Sequence, residues 1–241
     1  VLASLALLCV VFPAEGIKFF GTTLRFPSIA EVISVKDNKV VEAPNPETGT
    51  VEETTNTTKS YAYIVASKLK ADYRISAFSG RGLVHNYAGI EPNWHIPDLL
   101  EYTVPGMASA SKGGEKREFS AWQPSVVVVF VGINDFQGEG PKASEDAFIK
   151  AYRDLLAKYR KTSPGVKFLL VATKVYPEDL LIPAVEKVFL AEKNAGFKDL
   201  EMEIVYSENT ALHGHPNERS QQDMAQKLLP KIARLGGFLS R

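Results

Sequence analysis

The chain has 241 residues, and its 28 Lys and Arg balance 28 Asp and Glu, so the formal net charge is zero. Nucleic-acid-binding proteins normally carry a basic surface, so this balance argues against a nucleic-acid partner. The hydrophobic fraction of 45% and the charged fraction of 23% are typical of a globular protein. The single cysteine excludes a disulfide framework within the chain and any zinc site built from several thiolates.

The chain opens with an apolar run, LASLALLCVVF, at residues 2–12. It is too short to span a bilayer, which takes about 20 residues, but it matches the core of a signal peptide. Three interpretations stay open: a signal remnant, the end of a longer membrane anchor, or a buried strand of an upstream unit. We predict a separate segment over residues 1–16 and a secretory-route protein, extracellular or membrane-associated, with residues 2–12 as the membrane attachment. The sequon that begins at Asn56 suits this route and makes Asn56 a candidate glycosylation site.

The first half of the chain predicts two strands, a helix and an insertion. Residues 17–21, IKFFG, have the pattern of a short buried strand. Residues 32–43 alternate around a central Asp-Asn pair and predict a β-hairpin, which a polar loop follows, so about 25–58 is predicted as an insertion. Apolar residues at helical spacing predict a helix over 60–70. The next strand is predicted at 73–80.

The second half alternates strands with helices, after an irregular stretch at 81–118 whose length indicates a functional loop. This alternation predicts one α/β domain over 17–241, a doubly wound, mainly parallel five-stranded sheet with helices on both faces. The predicted strands are 124–132, 166–175 and 202–207, and the predicted helices begin at Ser144, Glu178 and Glu218.

Ligands of such sheets bind beyond the carboxyl ends of the strands, so the residues that follow each strand are the candidate site. Asn134, in the GIND segment, offers its side-chain amide to an oxyanion, although Asn also suits a simple turn. Gly80 lets a ligand approach the backbone N–H. His215, held before Pro216, is a candidate general base. His213 and His215 lack a third ligand, so we predict no metal site, and nothing in the sequence indicates a cofactor.

Three further residues have candidate roles near this site. Trp94 and His95 lie in the long loop over the predicted cleft and are candidates for ligand contact, with ordinary loop packing as the alternative. Asp135 is expected to order the Asn134 loop by accepting backbone N–H bonds.

Residues 60–87, 122–135 and 215–228 resemble the SGNH (GDSL-type) hydrolases, and more narrowly the family two carbohydrate acetyl-esterases. The resemblance covers roughly 17–235 and implies an SGNH/flavodoxin-like fold and an acylated carbohydrate ligand. In that family the nucleophile is the Ser of a Gly-Asp-Ser block after the first strand. Its N–H, a Gly and an Asn form the oxyanion hole, and a late His is the base, often with an Asp two or three residues before it. The resemblance therefore implies that Gly80 and Asn134 form the oxyanion hole and that His215 is the base.

The chain departs from the family pattern at two places. Residues 21–24 read Gly-Thr-Thr-Leu where the family has Gly-Asp-Ser-Leu, so Thr23 occupies the nucleophile position. Leu212 and His213 stand where the supporting acid is expected. The extra methyl group of Thr stiffens χ1 and crowds the attack path, and loss of the acid leaves His215 without its orienting partner.

These departures predict a catalytically impaired member, a pseudoenzyme with a binding or structural role, such as a non-catalytic subunit with protein partners. The alternative is an active carbohydrate O-acetyl-esterase that uses Thr23 and His215. A shift of the alignment by the insertion would instead make Ser28 or another hydroxyl the nucleophile.

Overall fold

The computed structural model describes residues 56–103, 114–138, 140–211 and 214–238, together with the backbone of three short strands between residues 18 and 34. The strands are β1 Lys18–Phe19, β2 Thr22–Thr23, β3 Ala30–Ser34, β4 Tyr73–Ser76, β5 Val126–Phe130, β6 Lys167–Ala172 and β7 Leu200–Ile204. The helices are α1 Tyr61–Leu69, α2 Ile96–Leu99, α3 Ile133–Phe136, α4 Glu145–Thr162, α5 Leu181–Asn194 and α6 Glu218–Gly236.

The central sheet is parallel, with the strand order β4-β3-β5-β6-β7. This is the flavodoxin-like order, in which the direction of winding reverses between β3 and β5. Helix α1 packs against α6, and α4 packs against α5. Every residue of β5 is buried, as expected for a strand covered on both faces. The predicted α/β class, with a parallel sheet and helices, is confirmed.

The helix starts follow signals that are visible in the sequence. The side chains of Ser60, Ser144 and Asn217 each accept a backbone N–H from the first turn of the helix that follows. Such N-caps satisfy backbone donors that would otherwise lack a partner. The long segment after β4 contains α2 and two 3-10 turns, Tyr87–Gly89 and Phe119–Ala121, and is therefore not structureless.

The prediction for the first strand is wrong. Of residues 17–21 the structure describes β1, Lys18–Phe19, and this strand pairs with β2 in a separate two-stranded antiparallel sheet and not in the central sheet. The strand between β4 and β5 is instead β3, which pairs in parallel with both. Residues 32–34 are therefore a strand of the central sheet and not the first arm of a hairpin, while the rest of the predicted insertion up to residue 55 lies outside the described residues.

Over the described part of the chain, no helix combines the length and the apolar character needed to cross a membrane. The apolar run at 2–12, on which the signal and anchor interpretations depend, lies outside the described residues.

Candidate functional site

The candidate site lies at the carboxyl ends of β4 and β5, beside the point where the strand order reverses. Gly80 and Asn134 each stand four residues after the last residue of their strand. The Asn134 side-chain amide donates to the Arg81 carbonyl oxygen at 2.9 Å, so the structure joins the two predicted oxyanion segments. An amide carries two N–H hydrogens, and this bond leaves one of them for a ligand oxygen.

Two glycines give this region its backbone path. Gly80 has φ +72° and Gly132 has φ +107°, both in the left-handed region that favours glycine. A Cβ at Gly132 would also lie 2.7 Å from a ring carbon of Phe148, too close for a real contact. Gly132 thus allows β5 to turn at once into α3, which carries Asn134.

Asp135, on α3, connects this helix to the loop that follows β4. Its side chain is fully buried, and its carboxylate accepts the N–H groups of Leu83, Val84 and His85 at 2.9, 2.9 and 3.0 Å. Asp135 therefore accepts backbone N–H bonds as expected, but from the loop after β4 and not from its own loop. A Cβ at Gly82 would lie 2.5 Å from Asp135 Oδ2, so only glycine fits between this carboxylate and the loop.

The surroundings of Asp135 shift the pKa of its carboxyl group in two opposite directions. Burial raises the pKa of the carboxyl above its ordinary value, while the three N–H donors and the charge of His95 lower it. Burial is the larger effect, so the net pKa is raised. The bonds from the backbone need an acceptor and favour the ionised carboxylate, which links the protonation of Asp135 to the order of the loop.

Asn86 is a functional candidate that sequence reasoning missed. It is 1% exposed, and its Oδ1 accepts the Gly82 N–H at 3.1 Å. Its Nδ2 donates to the carbonyl oxygens of Ile90, Glu91 and Trp94 at 2.8–2.9 Å. One buried amide therefore holds both sides of the loop, and no periodic pattern in the sequence indicates it.

Trp94 and His95 lie on the far arm of this loop. Trp94 is half-buried and packs against Tyr102, with ring centroids 6.1 Å apart. His95 precedes α2, its N–H donates to Asp98 Oδ2 at 2.9 Å, and its ring acts electrostatically on Asp135. Both residues thus belong to the loop that flanks the candidate site, and their contact with a ligand stays a prediction.

The predicted nucleophile and the predicted base lie on other elements than Gly80 and Asn134. Thr23 belongs to β2, outside the central sheet, and Ser28 precedes β3 in the sequence. His215 is half-buried on the loop between β7 and α6, where its carbonyl accepts the Ala211 N–H at 3.1 Å. Leu212 and His213 lie outside the described residues.

Asn56, the predicted glycosylation site, caps the 3-10 turn before α1. Its Oδ1 accepts the Thr58 N–H at 3.0 Å and the Thr58 hydroxyl at 2.6 Å. The sequon therefore has a turn conformation at the surface, and its modification stays a prediction.

Exposed tyrosines border the site, which was not predicted. Tyr87 is 47% exposed and Tyr176 is 57% exposed. Both contact Gly138: the Gly138 N–H donates to the Tyr176 carbonyl at 3.0 Å, and a Cβ on Gly138 would lie 3.1 Å from the Tyr87 ring. The sequence shows these tyrosines in loops after strands, but only the structure shows that both residues are exposed and contact Gly138, four residues after Asn134.

A groove of about 720 Å³ lies elsewhere, on the outer side of α4 and α5. Both of its arginines are already paired, since Arg153 and Arg160 bond the buried Glu192, and Arg160 also bonds Asp199. It shares no residue with the candidate site, and its paired charges indicate a structural network. Within the described ranges, no three His, Cys, Asp or Glu side chains are grouped to hold a metal ion.

No protein-family model matches the chain. It is 29% identical to the cellulase/esterase CelE of Acetivibrio thermocellus over 198 residues, 79% of this chain and 23% of that protein. It is 24% identical to an acetylxylan esterase/glucomannan deacetylase of Cellvibrio japonicus, over 77% of this chain and 52% of that protein. The chain thus spans about half or less of the length of these curated relatives.

Solved structures of carbohydrate esterases share the fold of this chain. The chain matches a carbohydrate esterase whose active site displays divergent catalytic and non-catalytic binding functions, with TM-score 0.77 and 22% identity over 89% of this chain and 71% of the other. It also matches a family two carbohydrate esterase from Clostridium thermocellum in complex with cellohexaose, with TM-score 0.75 and 25% identity over 90% and 67% of the two chains. The predicted resemblance is confirmed: the homologues and structural neighbours of this chain are family two carbohydrate esterases of the SGNH type.

Proposed function

We propose that this chain is a carbohydrate-binding member of the SGNH esterases with impaired catalysis, and that its ligand is an acylated glycan. The observation that carries the proposal is that the candidate nucleophile, Thr23, does not lie on the strand where the family has its nucleophile. Thr23 lies on β2, whereas the strand between those that lead to Gly80 and Asn134 is β3.

The residues after β3 strengthen this argument. In the resembled family the nucleophilic Ser follows the first strand of the sheet, and β3 holds that place in the strand order. Residues 35–38 are Val, Lys, Asp and Asn, none of which carries a hydroxyl. Gly80 and Asn134 appear four residues after their strands, but the corresponding stretch after β3 contains no Ser or Thr.

The glycan-binding part of the proposal rests on exposed aromatic and polar groups in the loops after β4, β5 and β6. Sugars stack their apolar faces on aromatic rings while their hydroxyls bond polar groups, and tyrosine offers both kinds of contact. Tyr87 and Tyr176 are both exposed and both contact Gly138, Tyr87 through its ring and Tyr176 through its backbone carbonyl, and the Asn134 amide supplies a donor. The solved relative that holds cellohexaose has the same fold, which agrees with a glycan ligand.

A glycan ligand also fits an extracellular location, since esterases of plant-type polysaccharides act on polymers outside cells. We accordingly retain the secretory route as part of the proposal, with glycosylation at Asn56. Protein partners of a non-catalytic subunit and attachment through residues 2–12 remain proposals of the same kind.

The test compares binding with acetate release in the same preparation. Calorimetric titration with cellohexaose is expected to show binding that falls on Tyr87→Ala and on Tyr176→Ala, while acetylated xylan yields no acetate. The double variant Thr22→Asp, Thr23→Ser restores the family block in sequence and is expected to stay silent, because β2 lies outside the central sheet. Absence of glycan binding in the parent would overturn the proposal.

Acetate release by the parent would support the alternative of an active O-acetyl-esterase. Single variants then identify the nucleophile: loss of release on Thr23→Ala supports the pair Thr23 and His215. Loss on Ser34→Ala instead assigns the role to the last residue of β3, which pairs with Phe130 at the carboxyl end of the sheet. Ser28→Ala serves as the control, since Ser28 precedes the first residue of β3 in the sequence, whereas Ser34 is its last.

A further inference from the structure

The strand β7 is the last in the described sheet, so only one of its two edges pairs with a neighbouring strand. Successive residues of a strand direct their backbone groups alternately to its two edges. The Val205 N–H donates to the Ala172 carbonyl at 2.9 Å, so odd-numbered residues of this stretch face β6. The backbone groups of Met202 and Ile204 therefore face the other edge, which is the outer edge of β7. Such an edge is a template for a strand of another chain.

Side chains already bond the backbone groups on this outer edge. Lys231 Nζ donates to the Met202 carbonyl at 2.8 Å, and Lys227 Nζ donates to the Ile204 carbonyl at 2.6 Å. The Ile204 N–H donates to Glu203 Oε1 at 3.1 Å. A strand added at this edge would have to displace these bonds before it could pair with β7.

The two lysines are held in place by a shared carboxylate. Lys227 and Lys231 stand one turn apart on α6 and therefore project from the same face of the helix. Glu203 lies 3.3 Å from Lys227 Nζ and 3.2 Å from Lys231 Nζ. An ammonium donor bonds a carbonyl more strongly than a neutral donor does, and a lysine at a sheet edge keeps a charge where a partner strand would lie.

We propose that α6 covers the outer edge of β7 with its lysines and thereby prevents a second copy of this chain from extending the sheet. The excluded partner is a second copy because two identical edges pair antiparallel about a twofold axis, so that each contact forms twice. The inference is independent of the proposed glycan-binding function, since it concerns how the chain associates and not what it binds at the candidate site.

The experiment measures self-association of the whole chain by sedimentation equilibrium over a dilution series. The edge variant, Lys227→Met with Lys231→Met, keeps the length of both side chains and removes both ammonium donors. The Met202 and Ile204 carbonyls then become available to the N–H groups of another strand. The association constant is expected to rise at least about 10-fold above that of the parent.

The matched control is Lys150→Met with Lys187→Met, which makes the same chemical change on α4 and α5. These two exposed lysines pair with the carboxylates of Asp154 and Glu145 on α4. The control is expected to associate no more than the parent.

Met202→Pro, added to the edge variant, tests whether any association uses β7. It removes an N–H from the outer edge and leaves the N–H groups that face β6 in place, a position that proline tolerates in an edge strand. It is expected to return the association constant to the value of the parent.

An edge variant that associates no more strongly than the control would overturn the inference. Association that Met202→Pro does not reverse would also overturn it, because the contact would then lie on another surface. If the edge variant does not fold, Lys227→Met alone decides the question, since it frees the Ile204 carbonyl and leaves Lys231 paired with Glu203. No rise in its association constant would overturn the inference as well.

Discussion

Substitution of Asp135 by asparagine tests whether one buried carboxylate organises the candidate site. The variant keeps the size of the side chain but replaces one carboxylate oxygen by an NH₂ group. If the amide oxygen takes the place of Oδ1, it still accepts the N–H groups of Val84 and His85. The NH₂ group then faces the Leu83 N–H, which bonded Oδ2 in the parent, and two donors cannot bond each other.

The expected loss of stability follows from these three bonds. A buried N–H left without an acceptor costs about 1–3 kcal/mol. The two remaining bonds lose the charge of the acceptor, which roughly halves their strength and costs on the order of 1 kcal/mol each. Relief from burying a charge, which the raised pKa of Asp135 indicates, offsets part of this loss. We therefore expect the free energy of unfolding to fall by about 2–4 kcal/mol at pH 7.

Urea unfolding followed by tryptophan fluorescence measures this loss, since Trp94 belongs to the same loop. Asp154→Asn is the matched control, because Asp154 is exposed and pairs with the exposed Lys150, a contact worth about 0.3–0.5 kcal/mol. A change in Asp135→Asn no larger than that of the control would refute the claim that this carboxylate holds the loop after β4.

Three further predictions address the same loop. Because the pKa of Asp135 is raised in the folded chain, above about pH 3.9 the folded chain keeps a proton that the unfolded chain has lost. The stability that this group contributes therefore falls as the pH rises through the folded-state pKa. The stability difference between the parent and Asp135→Asn should therefore shrink between pH 4 and pH 7 in urea titrations, and growth of the difference would contradict this sign. The methyl group of Gly82→Ala would overlap the His85 carbonyl, so this variant should lose about 1–3 kcal/mol of stability and bind cellohexaose more weakly. In the control variant Gly89→Ala the methyl group meets no atom within 4 Å, so it should cost only about 1 kcal/mol of left-handed backbone strain. Asn86→Ala removes the acceptor of the buried Gly82 N–H and the amide donor to the Ile90 and Trp94 carbonyls, while the Glu91 carbonyl keeps its bond from the Trp94 N–H. It should cost about 2–4 kcal/mol by the same urea assay, and retention of parent stability would show that water replaces the amide.

The second half of the fold could be predicted because its signals are local. The VVVVF run of β5 is apolar at every position, and Ser144 and Asn217 cap the helices they precede. Gly80, Asn134 and His215 could be chosen from the sequence because they lie in the loops that follow predicted strands, where ligands of parallel sheets bind.

The first strand and the internal bonds of the site could not be predicted, because distant residues decide them. Residues 17–21 and 30–34 are both short and rich in strand-forming residues, and only pairing with β4 and β5 selects the second. Asp135 bonds N–H groups that lie about 50 residues earlier in the chain. The exposure of Tyr87, Tyr176 and Tyr206 likewise depends on how loops meet, which composition does not encode.

Acetate release tests the central claim, a glycan-binding SGNH site with impaired catalysis, most directly. Parent protein that binds cellohexaose is incubated with acetylated xylan beside the variant His215→Ala, and acetate is quantified in both. The account predicts no release by the parent above that of the variant. Release by the parent that His215→Ala abolishes would contradict it and show that His215 takes part in catalysis.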